Sequence, residues 1–244
     1  MLSISGLSVS YDGSRVLREV SLRVPDGQVV CLMGRNGVGK TTTLKAVTGL
    51  VRADAGRVDL AGIDLTPLNP DRRARQGLGY VPQGRDIFPN LTVVENLRIG
   101  AIAQGKDLPG ELERVLSLFP VLKDMLRRKG GVLSGGQQQQ LAIGRALLTH
   151  PKVLLLDEPT EGIQPNVIDQ IGETIKAIRA GGAGLGGSGA RLANGGIGIL
   201  LVEQYLDFCL EVGDYFYVMD RGVIVAEGPI AGLNDAIVRR HLTV

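Results

Sequence analysis

The stretch Gly34-Arg35-Asn36-Gly37-Val38-Gly39-Lys40-Thr41 decides how this 244-residue chain is expected to fold. Its two outer glycines, followed by a lysine and a hydroxyl residue, form the pattern of a phosphate-binding loop. A short apolar run, 29–33, precedes the loop, and a helical pattern from Lys40 to Thr48 follows it. This strand-loop-helix context is the one that the pattern requires, so the stretch predicts an α/β fold.

The expected chemistry of this loop follows from its backbone. Glycines let N–H groups converge on phosphate oxygens, and the helix N-terminus adds a partial positive charge of about half a unit. Lys40 is expected to reach the β- and γ-phosphates, and Thr41 to bind Mg²⁺. A chance turn in a chain with 35 glycines is the alternative, which the flanking strand and helix disfavour. The predicted nucleotide-binding residues here are Gly34, Arg35, Asn36, Gly37, Val38, Gly39, Lys40, Thr41 and Thr42.

An acidic pair follows a second aliphatic run. Residues 153–156 are Val-Leu-Leu-Leu, typical of a strand buried in a parallel sheet, and Asp157 and Glu158 come directly after it. Asp157 is placed to hold Mg²⁺ through water, and Glu158 to polarise the attacking water as a general base. The pair alone could equally cap a helix. Beside a phosphate-binding loop, the catalytic interpretation is favoured.

A second glycine-rich helix start lies at Leu133-Ser134-Gly135-Gly136-Gln137. Ser134 is a good N-cap, and the glycines leave backbone N–H groups exposed, so this helix start is a second candidate anion site. By itself, Ser-Gly-Gly is most often a plain turn. One nucleotide cannot easily occupy two loops so far apart in the chain. We therefore predict a head-to-tail dimer, in which Ser134, Gly135, Gly136 and Gln137 cover the γ-phosphate bound by the other subunit.

In this order, the three motifs resemble those of the ATP-binding subunits of ABC transporters, over almost the whole chain. The resemblance implies ATP hydrolysis, with ATP and Mg²⁺ as cofactors. It implies a single ABC ATPase domain, 1–244, with an α/β P-loop NTPase (RecA-like) core, an N-terminal antiparallel β subdomain and an inserted α-helical subdomain. Residues 1–85 and 151–244 would form the β subdomain and core, and 86–150 the helical subdomain.

The resemblance also assigns residues outside the three motifs. Tyr11 matches the aromatic residue that stacks on adenine, and Gln83 the glutamine that links Mg²⁺ to the helical subdomain and the transmembrane partner. Without the family, Gln83 would be an ordinary polar loop residue. Residues 161–164 match the loop that contacts the opposite subunit, although Glu-Gly-Ile-Gln departs from the common sequence. Gln204 stands where the family usually has a histidine near the γ-phosphate; its amide can donate a hydrogen bond but cannot titrate.

The implied partners are two transmembrane permease subunits, a second ATP-binding subunit that is either a sibling or another copy, and indirectly a solute-binding protein. Formal net charge is +2 with no basic stripe, which argues against nucleic acid. The N-terminus lacks a signal-peptide pattern, and no run reaches the roughly 20 apolar residues of a spanning helix. The expected location is therefore the cytoplasmic face of the plasma membrane, peripheral through the permeases.

Two segments bear on the solute. Residues 80–89 and 202–208 resemble the second ATP-binding subunit of the urea importer, so import of urea is the main expectation. Branched-chain amino acids and short amides are the alternative within this branch, whose amino-acid members more often carry Glu where Gln83 stands. No residue here can encode the choice directly, because an ATP-binding subunit need not touch the solute.

Two other classes of function stay open at this point. A soluble ABC ATPase acting on nucleic acid or ribosomes usually carries a long coiled coil or tandem ATPase units, which this chain lacks. A nucleotide-sensing module without turnover has no need of a base such as Glu158. Separately, eight of the sixteen residues in 181–196 are glycine, which is typical of a flexible surface insertion.

Local patterns add expectations about single elements. Asp26-Gly27 predicts a hairpin turn between the runs 16–24 and 28–33, and Arg221-Gly222 predicts a terminal hairpin. Thr92 and Glu95 form a capping-box pattern. His150 is expected to cap a helix end. The two cysteines are interpreted as reduced core thiols.

Overall fold

The computed structural model describes residues 1–103, 108–181 and 196–242. The strands are β1 Leu2–Tyr11, β2 Ser14–Val24, β3 Val29–Met33, β4 Ala55–Leu60, β5 Ile63–Asp64, β6 Leu78–Val81, β7 Val153–Asp157, β8 Gly198–Glu203, β9 Tyr215–Asp220 and β10 Val223–Pro229. The helices are α1 Lys40–Thr48, α2 Pro70–Arg75, α3 Val93–Ile102, α4 Leu108–Leu118, α5 Gly135–Leu147, α6 Pro165–Arg179, α7 Leu206–Val212 and α8 Asp235–His241. Most of the predicted insertion, 182–195, lies outside the described residues.

The smaller sheet is antiparallel, with the order β2-β1-β4-β5. Strand β2 pairs with β1 across the turn at Asp12-Gly13, where both residues have positive φ. The hairpin predicted at Asp26-Gly27 is therefore wrong, since β3 pairs with β8 and β9 in the other sheet. All five residues of β3 are buried, and such a strand needs neighbours and cover on both sides.

The larger sheet has the order β10-β9-β3-β8-β7-β6. Its central strands are parallel, and β10 adds an antiparallel edge through the hairpin predicted at Arg221-Gly222, which is confirmed. Alternate residues of each central strand enter two separate cores: Cys31 faces one core and Leu32 the other. The first core is covered by α3, α5, α6 and α7, and the second by α1 and the antiparallel sheet. The predicted α/β fold is confirmed.

Helices α3, α4 and α5 lie between β6 and β7 in the chain. The capping box predicted at α3 is confirmed, because Thr92 Oγ1 accepts from the N–H of Glu95 while the Glu95 carboxylate accepts from the N–H of Thr92. Glycines allow close helix contact: a Cβ at Gly100 would lie 2.2 Å from the Arg145 carbonyl oxygen. The subdomain bounds at 85/86 and 150/151 stay a prediction.

His150 follows α5 at the helix end, and its role as a cap stays a prediction. Its Nε2 lies 3.0 Å from Glu111 Oε2, on α4, while its backbone N–H bonds to the Leu147 carbonyl. Cys31 and Cys209 are free and buried, as expected. Across 1–103, 108–181 and 196–242, none of the helices combines the length and apolar character needed to cross a bilayer.

Candidate nucleotide site

The candidate site lies at the carboxyl edge of the larger sheet. Strands β3, β8, β7 and β6 are neighbours in that order and run parallel. The segments that follow them therefore stand in a row, namely the loop 34–39, Gln204, Glu158 and Gln83. Ligands of open parallel sheets bind at this edge.

At two positions of the glycine-rich loop, the backbone conformation and the close neighbours favour glycine. Gly34 has φ 153°, and a Cβ there would lie 2.4 Å from the Met219 carbonyl oxygen on β9. Gly39 has φ 115°, and a Cβ there would lie 2.7 Å from Leu17 Cδ2 on β2. The loop is thus held between the terminal hairpin and the antiparallel sheet, and it ends at the N-terminus of α1.

Lys40 is buried inside this loop. Its Nζ donates to the carbonyl oxygens of Gly34 at 2.7 Å and Arg35 at 2.9 Å, and it lies 3.8 Å from Glu158 Oε1. Burial lowers the pKa of Lys40, while the nearby carboxylates of Glu158 and Asp157 act in the opposite direction. The ammonium group therefore sits among loop carbonyls and carboxylates at the place where the pattern predicts phosphate.

Asp157 is almost fully buried at the end of β7. Its Oδ1 accepts from Thr41 Oγ1 at 3.2 Å, and its Oδ2 from the Tyr80 hydroxyl at 3.4 Å. The pKa of Asp157 is raised to about 6, and burial is the largest cause. The two hydrogen bonds and the charge of Lys40 lower this pKa, but their effect is smaller. A hydroxyl and one carboxylate fit Mg²⁺, which takes one or two carboxylates together with phosphate oxygens and waters.

Glu158 is held by two amide side chains. Its backbone has φ 49°, which is uncommon outside glycine. Gln204 Nε2 donates to Glu158 Oε1 at 2.7 Å, and Gln83 Nε2 lies 3.3 Å from Oε2. Gln83 also donates to Glu161 Oε2 at 2.9 Å. Thus Lys40, Thr41, Gln83, Asp157, Glu158 and Gln204, predicted separately, meet in one place.

The second predicted loop opens α5 as expected. Ser134 Oγ accepts from the N–H of Gln137, and Gln137 Oε1 accepts from the N–H of Ser134, so these polar groups are joined to each other. A Cβ at Gly136 would lie 2.6 Å from Val167 on α6. Tyr11 lies at the end of β1, in the smaller sheet, and 42% of the residue is exposed.

Two residues at the site, Glu203 and Arg85, were missed by the sequence reasoning. Glu203 is buried at the end of β8 and accepts from the N–H and hydroxyl of Thr160. Arg85 Nη2 donates to the Glu161 carbonyl oxygen at 3.0 Å, and its guanidinium covers Gly135. A signal for Glu203 was present, since it is an acidic residue that closes an aliphatic run, as Asp157 does.

Comparisons with known proteins agree with this geometry. A family model described as ABC transporter matches residues 17–161. The high-affinity branched-chain amino acid transport ATP-binding protein BraG of Pseudomonas aeruginosa is 38% identical over 234 residues, covering 96% of this chain and 94% of BraG. The lipopolysaccharide export system ATP-binding protein LptB of Haemophilus influenzae is 36% identical over 248 residues, covering 98% and 95%.

Two further proteins are similar to this chain. The probable branched-chain amino acid transport ATP-binding protein LivF of Archaeoglobus fulgidus is 34% identical over 229 residues, covering 93% of this chain and 92% of LivF. A solved structure described as the ATP binding subunit of an ABC transporter superposes with a TM-score of 0.81 at 29% identity, covering 98% of this chain and 92% of the other.

Proposed function

This chain belongs to the ABC transporter family and is an ABC-type ATPase, and we propose on that premise that it energises the import of branched-chain amino acids. The proposed solute is based on the relatives, because BraG and LivF are both named for branched-chain amino acid transport. The expectation of urea finds no support among these relatives, so the amino-acid alternative replaces it. LptB, named for lipopolysaccharide export, is nearly as similar as BraG. The experiment on the solute must therefore distinguish import from export.

The observation that carries the proposed mechanism is the row of side chains at one sheet edge. Glu158 acts as the general base toward the attacking water, and its carboxylate is oriented by Gln204 at 2.7 Å. Lys40 leaves the loop carbonyls and neutralises charge on the transferred phosphoryl group, together with backbone N–H groups of the loop. Gln204 donates its second amide hydrogen toward the γ-phosphate.

Thr41, Asp157 and Gln83 would hold Mg²⁺ with the nucleotide. The hydroxyl and carboxylate of Thr41 and Asp157 already lie in contact, and Gln83 stands on the next strand end. When bound, Mg²⁺ neutralises charge on the β- and γ-phosphates. Burial of Asp157 favours a site where a cation compensates its charge, because a buried lone carboxylate is costly.

The rest of the nucleotide site is proposed to come from two other places. Tyr11 stacks on adenine. Ser134, Gly135, Gly136 and Gln137 act on the nucleotide of a second ATP-binding subunit, where the start of α5 presents backbone N–H groups to the γ-phosphate. A sandwich dimer with two nucleotides then closes on binding and reopens after hydrolysis.

An apolar groove is the proposed contact with the permease subunits. It has a volume of about 370 Å³, lies between the core and helices α3 and α5, and includes Leu50, Tyr80, Phe88, Ile99 and Arg145 in its lining. Leu50 and Phe88 are strongly exposed there. Exposed apolar patches mark interaction sites. The proposed location is the cytoplasmic face of the plasma membrane, and a solute-binding protein acts through the permeases.

Glu158→Gln tests the ATPase mechanism. The variant should bind ATP with unchanged affinity and hydrolyse it at least about a hundredfold more slowly, because the amide cannot accept the proton from water. It should also accumulate as a closed dimer with ATP, measured by light scattering after size exclusion. Glu173→Gln, exposed on α6, is the matched control and should behave as wild type. Unchanged turnover in Glu158→Gln would remove that residue from the role of base.

Reconstitution with the permeases tests the solute. Vesicles containing the permeases, this chain and the second ATP-binding subunit, with the solute-binding protein on the opposite side of the membrane, should take up labelled leucine when ATP is present on the side of this chain. Unlabelled isoleucine and valine should compete, and urea should not. Uptake of urea instead, or movement of lipopolysaccharide, would refute the proposed solute while leaving the ATPase mechanism intact.

A further inference from the structure

Glu203 places one buried carboxylate between the two segments that carry Glu158 and Gln204. Only 2% of Glu203 is exposed. Its Oε1 accepts from the N–H of Thr160 at 3.0 Å and from the Thr160 hydroxyl at 2.7 Å. Its Oε2 accepts from the N–H of Gln204 at 3.0 Å and from the N–H of Tyr205 at 3.3 Å.

Each oxygen of this carboxylate therefore accepts hydrogen bonds from a different segment. Oε1 binds the turn after β7, where Thr160 is two residues beyond Glu158. Oε2 binds the start of the turn after β8, at Gln204 itself. Burial raises the pKa of Glu203, and the hydrogen bonds act in the opposite direction. An apolar residue would fill the end of this aliphatic strand without the cost of burying a carboxylate, so the arrangement calls for a reason beyond packing.

The hydrogen bonds to Glu203 should fix the distance between Glu158 and Gln204. Glu158 and Gln204 meet through a 2.7 Å hydrogen bond, but both side chains start from turns after their strands. A turn whose N–H groups lack a partner can move by an ångström or more, and such a misplacement costs up to about a hundredfold in rate. Hydrogen bonds from both turns to one rigid carboxylate prevent that movement.

We propose that Glu203 is a positioning residue for hydrolysis, which holds the Glu158 turn and the Gln204 turn in register. The inference rests on the proposed role of Glu158 as the base. It assigns to Glu203 no contact with nucleotide: the carboxylate acts through Thr160 and through the backbone of Gln204. The effect should appear in turnover, while ATP binding depends on the loop at 34–41.

The first test is Glu203→Gln, measured on the full chain in its complex. The amide keeps the size of the side chain but replaces one acceptor oxygen by an NH₂ group. In either orientation that NH₂ group faces N–H donors, so one turn loses its partner. We expect kcat to fall between about tenfold and a hundredfold, with the dissociation constant for ATP changed less than about twofold. Glu173→Gln is the control for charge removal at a distant, exposed site.

Variants of Thr160 distinguish an effect of Glu203 on the position of the turn from an effect of its negative charge. They also provide a test if Glu203→Gln does not fold. Thr160→Val removes one donor to Oε1 and keeps the negative charge near Lys40, and Thr160→Ser restores the hydroxyl. Kcat should fall about threefold or more in the valine variant and recover in the serine variant. A fall in Glu203→Gln with wild-type kcat in Thr160→Val would mean that loss of the hydroxyl bond to Glu203 does not slow hydrolysis, and would overturn the proposal.

A double variant separates this inference from the proposed function. If Glu203 acts through Glu158, adding Glu203→Gln to Glu158→Gln should not lower the residual hydrolysis rate further. Multiplied losses, or a loss of ATP affinity, would indicate a general structural role and overturn the inference. If Glu158→Gln alone keeps full turnover, the proposed base is wrong. If Glu158→Gln is inactive while Glu203→Gln has wild-type kcat, only the inference fails.

Discussion

At the residue scale, the contact between Gln204 and Glu158 joins an amide to the carboxylate proposed as the base. An imidazole in the place of Gln204 would change charge near neutral pH, whereas the amide keeps one state throughout. The Gln204 donor of the 2.7 Å hydrogen bond should therefore stay the same as pH changes.

Gln204→His should introduce a pH dependence attributable to residue 204, which the wild-type glutamine cannot supply because its amide does not titrate. Beside Glu158 the new imidazole is expected to titrate at or above its ordinary pKa of about 6.5. Turnover should therefore fall as pH rises through that value and the charged donor is lost. Steady-state ATPase rates between pH 6 and 8 measure this. Gln204→Ala is the control, with low turnover at every pH; intact affinity and turnover in that variant would refute the role of Gln204.

Asp157→Asn should stabilise the protein in the absence of nucleotide and metal, in a pH-dependent manner. Asp157 has a folded-state pKa of about 6 because of burial, against about 3.9 when unfolded. Its contribution to stability is therefore full below about pH 4 and lost as pH rises through about 6. The asparagine variant should gain about 2–3 kcal/mol over wild type at pH 7 and much less near pH 4.

Urea denaturation in the presence of a chelator measures that gain. Asp169→Asn, at an exposed position of α6, should leave the free energy of unfolding at both pH values unchanged. A difference between Asp157→Asn and wild type that is the same at pH 4 and pH 7 would contradict the prediction.

Single residues also show what the sequence could and could not predict. Lys40, Asp157 and Glu158 were found because phosphate and metal chemistry allows few residue types at those positions. Arg85 and Glu203 were missed because their partners are backbone groups of distant turns, Glu161 and Thr160. Only the packing of β6, β7 and β8 side by side brings those turns together.

At the scale of elements, the contact of α3 with α5 depends on a glycine. Gly100→Ala should destabilise the chain by about 1–3 kcal/mol, because the new Cβ would lie 2.2 Å from the Arg145 carbonyl oxygen and the helices must separate. Gly172→Ala on α6 is the matched control, since its nearest neighbour would be 3.4 Å away. The control should be neutral, or more stable by up to about 1 kcal/mol. Chemical denaturation of both variants measures the difference, and equal stabilities would contradict the prediction.

Elements were predicted well where the signal is local. The hairpin at Arg221-Gly222 and the capping box at Thr92 follow from residues close together in the chain. Asp26-Gly27 carries an equally good turn signal, yet the chain leaves one sheet there and enters another. Turn residues indicate that the direction changes but not which strand comes next to which, and burial of β3 on both faces decides that.

At the scale of the whole molecule, hydrolysis should require a second subunit. Gly135→Asp should keep ATP affinity, because the loop 34–41 is untouched, and should lose at least about tenfold in turnover, because a carboxylate would oppose the phosphate across the interface. Specific activity of the wild-type chain should rise with protein concentration or with added sibling. A strictly monomeric chain with full activity, in which Gly135 and Gly136 are replaceable, would refute the shared site.

The close approach of Gly34 to Met219 has a consequence for synthesis. The loop that begins at Gly34 is synthesised before its support on β9, which comes about 180 residues later in the chain. Because chains are synthesised from the N-terminus, the loop emerges from the ribosome before the strand that supports it. A chain that lacks β9 should therefore gain less stability from bound nucleotide than the full chain does.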